Sequence, residues 1–165
     1  MKRLLLVCTA VLLACGTSYG WARVAHATVA KIAENHLSPK AKKMLDKYLD
    51  GKPISYYASH ADEFKPEWLM DLGFEPSNAK RKVTFPHTFS VDENYNILRG
   101  QRDGDKFVKN CVYMADEFAA DLKVNHRTMG DSLRMLKIVM IVHWLGDMHC
   151  PKHIRYPEDQ TIGYF

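Results

Sequence analysis

Apolar residues recur at helical intervals over most of this chain. Ala22, Ala25, Val29, Ile32 and Ala33 predict a helix from 22 to about 37. In "LSPKAKKMLDKYLDGK", Ser38 is placed to cap a second helix, with Pro39 at its first position and Gly51 as its terminator; Met44, Leu45, Tyr48 and Leu49 form one face. Ser55 is the expected cap of a third helix, "YYASHADEF". From Lys65 to about Gly104 the chain is rich in Pro, Gly, Asn and charge, which predicts long connections with one extended piece, "KVTFPHTFSV". Helical spacing returns with Phe107, Val108, Cys111, Val112, Ala115, Phe118, Ala119 and Leu122. Thr128 then caps a last helix running to about His149, apolar nearly all round between Leu133 and Leu145 and so expected at the centre of the core. The class predicted is all-α, with one or two short extended segments and no internal repeat.

Composition supports one compact domain: 47% of the 165 residues are apolar and 25% charged. The first twenty residues stand apart. Lys2 and Arg3 lead into the apolar run Leu4 to Ala14 and then "CGTSYG", the layout of an export signal too short to span a bilayer. Ser18 and Gly20 are the small residues that cleavage before Trp21 requires, so the expected division is a signal peptide over 1–20 and an exported domain over 21–165. A rival reading takes "LLAC" as a lipid-attachment box anchored at Cys15, with Leu a poor fit at its second place. Loss of the signal lowers the basic count from 23 to 21 against 19 acidic residues, and a net charge of about +2 argues nothing about nucleic acid. Cys111 and Cys150 remain, either as one disulfide or as two buried thiols.

The last helix poses the chemical question. "IVHWLGDMHCPKH" sets His143 and Asp147 four residues apart, one above the other on a helix expected to be buried. A carboxylate there costs several kcal/mol unless it is paired or holds a metal. Pro151 ends the helix, which lets His153 curl back toward the same point. A His-Asp hydrogen bond closing the core satisfies both groups; so does zinc, whose standard ligands these are. Further candidates lie on other elements: His26 in the first helix, Asp62 in "ASHADEF" and His87 on the extended segment. A free Trp21 amino group could also chelate a metal together with its own carbonyl oxygen.

Together "W....H" (Trp21, His26), "VAKIAENHLSPKAKK", "ASHADE" and above all "VHWLGDMHCPKH" resemble the zinc-dependent single-strand nuclease and 3'-nucleotidase family of the S-one/P-one type, a relative of bacterial zinc phospholipase C. The resemblance implies a multi-helix nuclease or phospholipase C type of fold with three zinc ions. Carried over residue by residue, one zinc would take Asp62, His87, His143 and Asp147. A second would take the Trp21 amino and carbonyl groups, His26 and a shared Asp147, and His153 would belong to the third. His149 would support a ligand or its loop without binding metal, and His60 stands where the family has tryptophan, beside Asp62.

The activity implied is hydrolysis of single-stranded DNA or RNA, or of 3'-nucleotides, by attack of a zinc-bound hydroxide on phosphorus, with Asp62 and Asp147 as the catalytic carboxylates. The family continues into a segment ending His-x-x-Trp-Asp that completes the third site, whereas this sequence stops at "RYPEDQTIGYF". The expectation is therefore a C-terminally truncated chain with two well-supported zinc sites and weak or no activity. A phospholipase C-like phosphodiesterase and a non-catalytic exported zinc binder stay open beside it. The aromatic residues Tyr56, Tyr57, Trp68 and Phe89 have no assignable role in binding a base.

Overall fold

A computed structural model describes residues 20–75, 83–103 and 105–157 of the chain. Residues 1–19, all but the last of the expected export signal, and the final residues 158–165 lie outside the described residues. Six helices follow in order among them: α1 Gly20–Asn35, α2 Pro39–Tyr48, α3 Ile54–Tyr57, α4 Pro66–Asp71, α5 Cys111–Asn125 and α6 Asp131–Met148. Short strands are inserted at β1 Phe89–Val91, β2 Ile97–Leu98, β3 Gln101–Asp103, β4 Lys106–Val108 and β5 Ile154–Arg155. The fold is mainly helical, as the periodicity predicts. No helix among the described residues is long and apolar enough to cross a membrane.

α6 is the axis of the core. Leu136, Val139, Met140, His143, Trp144 and Asp147 are almost wholly buried on it, with α5 packed on one side and α1 and α3 on the other. Trp144 meets Phe118 of α5 at 5.2 Å and Phe85 at 5.9 Å between ring centroids. Its indole N–H donates to the carbonyl of Pro86 at 2.8 Å, which pins the segment carrying His87 to the core helix.

The local signals of α2 act as predicted: Ser38 Oγ accepts from the Ala41 N–H at 3.2 Å, and the chain turns out at Gly51 with φ of +69°. Elsewhere the structure revises the expected caps. Ser55 lies inside α3 instead of capping it, and both its N–H and its hydroxyl donate to Glu34 Oε1 of α1, at 3.0 and 2.9 Å. Phe107 and Val108 belong to β4 and are exposed; α5 starts at Cys111, where Asn110 Oδ1 accepts from the Tyr113 N–H at 3.0 Å. Thr128 Oγ donates back to Asn125 O, and α6 begins only at Asp131. For Ser55 and Thr128 the short polar side chain bonds to another partner than the helix end assumed for it.

α1 is also rotated relative to its apolar spacing. Its buried positions are His26 and Ala30, while Val29, Ile32 and Ala33 line an outer groove beside Val142 and Leu145 of α6. The cause is Gly146. A Cβ built there would lie 2.0 Å from His26 Nδ1, so the bare glycine is what lets the imidazole cross α6 at backbone level.

The small sheet places two further residues. β1 pairs antiparallel with β2 and parallel with β5, Phe89 opposite Ile154 and Ser90 opposite Arg155. That register brings His87 and His153, just before the two paired strands, to the same end of the sheet and over the C-terminal turn of α6.

Candidate metal centre

Four imidazoles converge on one buried carboxylate. Asp147, 1% exposed, has Oδ1 at 3.3 Å from His26 Nε2 and 3.4 Å from His153 Nε2, and Oδ2 at 3.0 Å from His87 Nδ1 and 3.4 Å from His143 Nε2. His143 Nε2 also lies 3.1 Å from His87 Nδ1 and 3.4 Å from Asp62 Oδ1. These residues come from α1, the turn at His60–Glu63, the segment before β1, α6 and the turn at Pro151–His153. A cavity of about 100 Å³ sits among them, lined also by Ala25, Gly146 and Cys150.

Each of these side chains is aimed by the local chain. Beyond α3 the backbone tightens into a 3-10 turn, His60–Glu63, and the Asp62 N–H bonds to Ser59 O at 3.4 Å. An uninterrupted α-helix would direct that N–H to Ala58 O. The carbonyl left over accepts from His143 Nδ1 at 3.0 Å instead, which fixes the proton on Nδ1 and turns the Nε2 lone pair toward Asp62 and Asp147. His26 stacks on His143 with centroids 4.4 Å apart and planes 11° from parallel; His87 meets the same ring edge-on at 5.0 Å. Pro151 ends α6, and the Cys150 and His153 N–H groups bond to Asp147 O and Cys150 O at 2.9 Å each, curling His153 back over Asp147.

The electrostatics divide the imidazoles. Burial acting alone would raise the Asp147 carboxyl, but the hydrogen bonds from His26 and His87, with the charge of the neighbouring rings, hold it far below the usual carboxylate range. The bond to Asp147 raises His87 above the ordinary histidine value. Burial lowers His143 and His153 and keeps them neutral. A neutral His143 whose single proton is held by Ala58 O turns its lone pair toward two carboxylate oxygens, Asp62 Oδ1 and Asp147 Oδ2, beside the His87 N–H that donates to Asp147. Such an arrangement of acceptors is matched by a cation, not by one more hydrogen bond.

The spacing also fits a metal. Ligands about 2.1 Å from a tetrahedral ion stand roughly 3.4 Å from one another, and the separations here run from 3.0 to 3.4 Å. Two groups meet the requirement: His26, His143 and Asp147, and Asp62, His87 and His143, with ligand atoms within 4.8 Å of one another in each. His26 Nδ1 and His153 Nδ1 are buried with no hydrogen-bond partner among the described residues.

Of the residues singled out in the sequence, His26, Asp62, His87, His143, Asp147 and His153 are therefore brought together. Trp21 stands in the first turn of α1, less than two turns before His26, and its side chain is outside the described set. His149 is exposed, and its ring N–H donates to Leu145 O at 2.6 Å. His60 packs between Tyr56 and Tyr57, at 5.0 and 5.2 Å, and does not line the cavity. Cys111 and Cys150 are both buried and stand as free thiols. Burial, with the Asp147 charge nearby, pushes the Cys111 thiol up to about 12. Sequence reasoning missed Gly146, the Ala58 carbonyl and the Trp144–Pro86 bond. Only Gly146 carried a signal, as a glycine inside an otherwise apolar helix, one residue before the aspartate.

Comparison with known proteins places the chain in a family. The profile of the S1/P1 Nuclease family matches residues 21–161. Nuclease S1 of Aspergillus oryzae (strain ATCC 42149 / RIB 40) is 27% identical over 156 residues, 93% of this chain and 50% of that protein. The chain thus spans about half the length of this curated relative. No solved structure matches it significantly. With a profile that runs from the first turn of α1 past β5 and takes in every residue around Asp147, the chain belongs to the S1/P1 nuclease family.

Proposed function

We propose that this protein is an exported zinc-dependent phosphodiester hydrolase that cleaves single-stranded DNA or RNA and removes phosphate from 3'-nucleotides. The observation that carries the reading is the single buried carboxylate, Asp147, shared by four imidazoles in a chain of this family. His26, Asp62, His87, His143, Asp147 and His153 supply oxygen and nitrogen donors of the kind zinc takes, and a free Trp21 amino group would add one more. Bound zinc supplies Lewis acidity, drawing electrons from a phosphoryl oxygen and making water a nucleophile near neutral pH.

The chain's own residues do the rest. Asp147 stays ionised through the neutral range, so it balances positive charge on both of its faces and is not a proton donor. His143 is held by Ala58 O in one tautomer and one orientation, which spares the site reorganisation on binding. Asp62 is half exposed and stands at the mouth of the cavity, where a carboxylate can meet both the metal side and the incoming substrate. His87 lines the cavity and also an adjoining groove of about 310 Å³ with Ser90, Gln101, Lys109, Asn110 and Arg155, polar and basic groups suited to a nucleotide. Nuclease S1 as the named relative supports the choice of substrate.

The test is zinc content and hydrolysis of a single-stranded oligonucleotide by wild type and Asp147→Asn. Loss of both bound metal and activity in the variant supports the reading. A variant that keeps its zinc, or a wild type that releases phosphocholine from lipid and leaves DNA intact, overturns it.

A further inference from the structure

We propose that Tyr56, with Lys52 and His60, forms a stacking platform for a base of single-stranded nucleic acid beside the metal centre. The inference rests on the nuclease reading and extends it to a surface that the metal ligands do not touch. Four aromatic residues were without a role at the level of sequence. Tyr57 and Phe89 are buried in the core, and Trp68 is partly buried against Phe64 at 5.0 Å. Tyr56 alone among them turns outward, 53% exposed.

An exposed ring is a useful platform only if it is held still. Tyr56 stands edge-on to Tyr57 at 4.9 Å and 90°, and Tyr57 is anchored in the core with its hydroxyl donating to Leu49 O at 3.4 Å. His60 supports it from another side, 5.0 Å away and tilted by 37°. His60 opens the 3-10 turn that carries Asp62 two residues later, and such a turn rises about 2 Å per residue. One strand could therefore lie across the Tyr56 ring and reach the mouth of the metal cavity.

The charge next to the ring is of the right sign. The Lys52 ammonium lies over the Tyr56 ring, 5.6 Å from its centroid, within reach on its flexible stem of the phosphate of a stacked nucleotide. Lys52 also lines a cleft of about 270 Å³ in which three lysines, Lys31, Lys42 and Lys52, outnumber two acids, Glu34 and Asp46. α2 itself exposes Lys40, Lys42, Lys43 and Lys47 against one acid, Asp46. Basic groups beside an exposed aromatic face are the parts from which sequence-tolerant single-strand binding is built.

The test uses the full zinc-loaded chain and a fluorescent, hydrolysis-resistant phosphorothioate ten-mer of deoxyadenylate, with affinity read by anisotropy. Tyr56→Ala should weaken binding by about 5- to 150-fold, the range for one lost base stack, and Tyr56→Trp should restore it. Tyr56→Leu, which keeps apolar bulk without a ring, should resemble Tyr56→Ala and guards against a folding artefact. Lys52→Gln should flatten the slope of log affinity against log salt by about 0.7. If the wild type binds the ten-mer and cleaves ordinary single-stranded DNA while Tyr56→Ala and Tyr56→Leu bind as tightly, the platform fails and the nuclease reading survives. If the wild type neither binds nor cleaves, both fall together.

Discussion

Gly146→Ala probes the link between packing and the candidate metal centre with a single methyl group. The added Cβ would lie 2.0 Å from His26 Nδ1 and 2.8 Å from its Cε1. Optimal contact needs roughly 3.5 Å, so the imidazole or the whole of α1 has to retreat by about 1.5 Å. His26 is 7% exposed and stacked on His143, so the ring has no free rotamer to move into. Overpacking of this kind costs about 1–3 kcal/mol. Alanine also gains about 1 kcal/mol over glycine in a helix interior, which leaves a net loss of up to about 2 kcal/mol. In a His26→Ala background the ring is gone, and the same substitution should stabilise the protein by about 1 kcal/mol. Urea unfolding of the four members of this cycle, in the presence of chelator, measures the coupling directly. Zinc titration should show Gly146→Ala losing affinity because His26 no longer reaches Asp147. An equal effect of Gly146→Ala in both backgrounds, with zinc affinity unchanged, would refute the argument that the glycine exists to admit His26.

Trp144→Phe keeps most of the core volume but strands the Pro86 carbonyl, so a loss of about 1–3 kcal/mol is expected; a thermal midpoint equal to wild type would count against the bond. In metal-free protein, His87 is raised by Asp147, so its contribution is complete below the unfolded histidine value near 6.5 and disappears as pH climbs through the folded value. The stability difference between wild type and His87→Gln should accordingly be largest near pH 6 and shrink toward pH 9; a difference independent of pH would contradict this. Cys111 is fully buried with its thiol pushed up to about 12, so iodoacetamide should leave it unmodified in the native protein and label it only after unfolding, as mass spectrometry would show. Ser55→Ala removes one of the two hydrogen bonds tying α3 to Glu34 and should cost about 1 kcal/mol without changing zinc content; loss of metal would instead tie that contact to the site.

Much of the site was legible because its residues carry strong local rules. His143 and Asp147 share a face of one helix by spacing alone, and Pro151 dictates where that helix ends and His153 turns. Helix existence was equally legible, while several caps were not. Ser55 and Thr128 have side chains that satisfy a backbone group wherever one is nearest, and only the assembled chain shows whether that is a helix end, Glu34 or Asn125 O. The start of α5 moved for a similar reason: Phe107 and Val108 fit a helical period, yet they pair with Arg102 and Gln101 in a hairpin.

By itself the sequence determined the helical class, the polar residues that a buried helix must explain, and the motif set of the family, because these depend on residue type and on spacing within one element. Tertiary structure decided what lies between elements. It turned α1 so that His26 and not its most apolar face meets α6, through the absence of a Cβ at Gly146. It broke the helix after Tyr57 so that Ala58 O could orient His143, and it paired β1 with β5 so that His87 and His153 meet over Asp147. Residues 26, 62 and 87 lie far along the chain from 143–153, and the distances of 3.0 to 3.4 Å that bring His26, His87 and His153 to Asp147, and Asp62 to His143, follow only from packing.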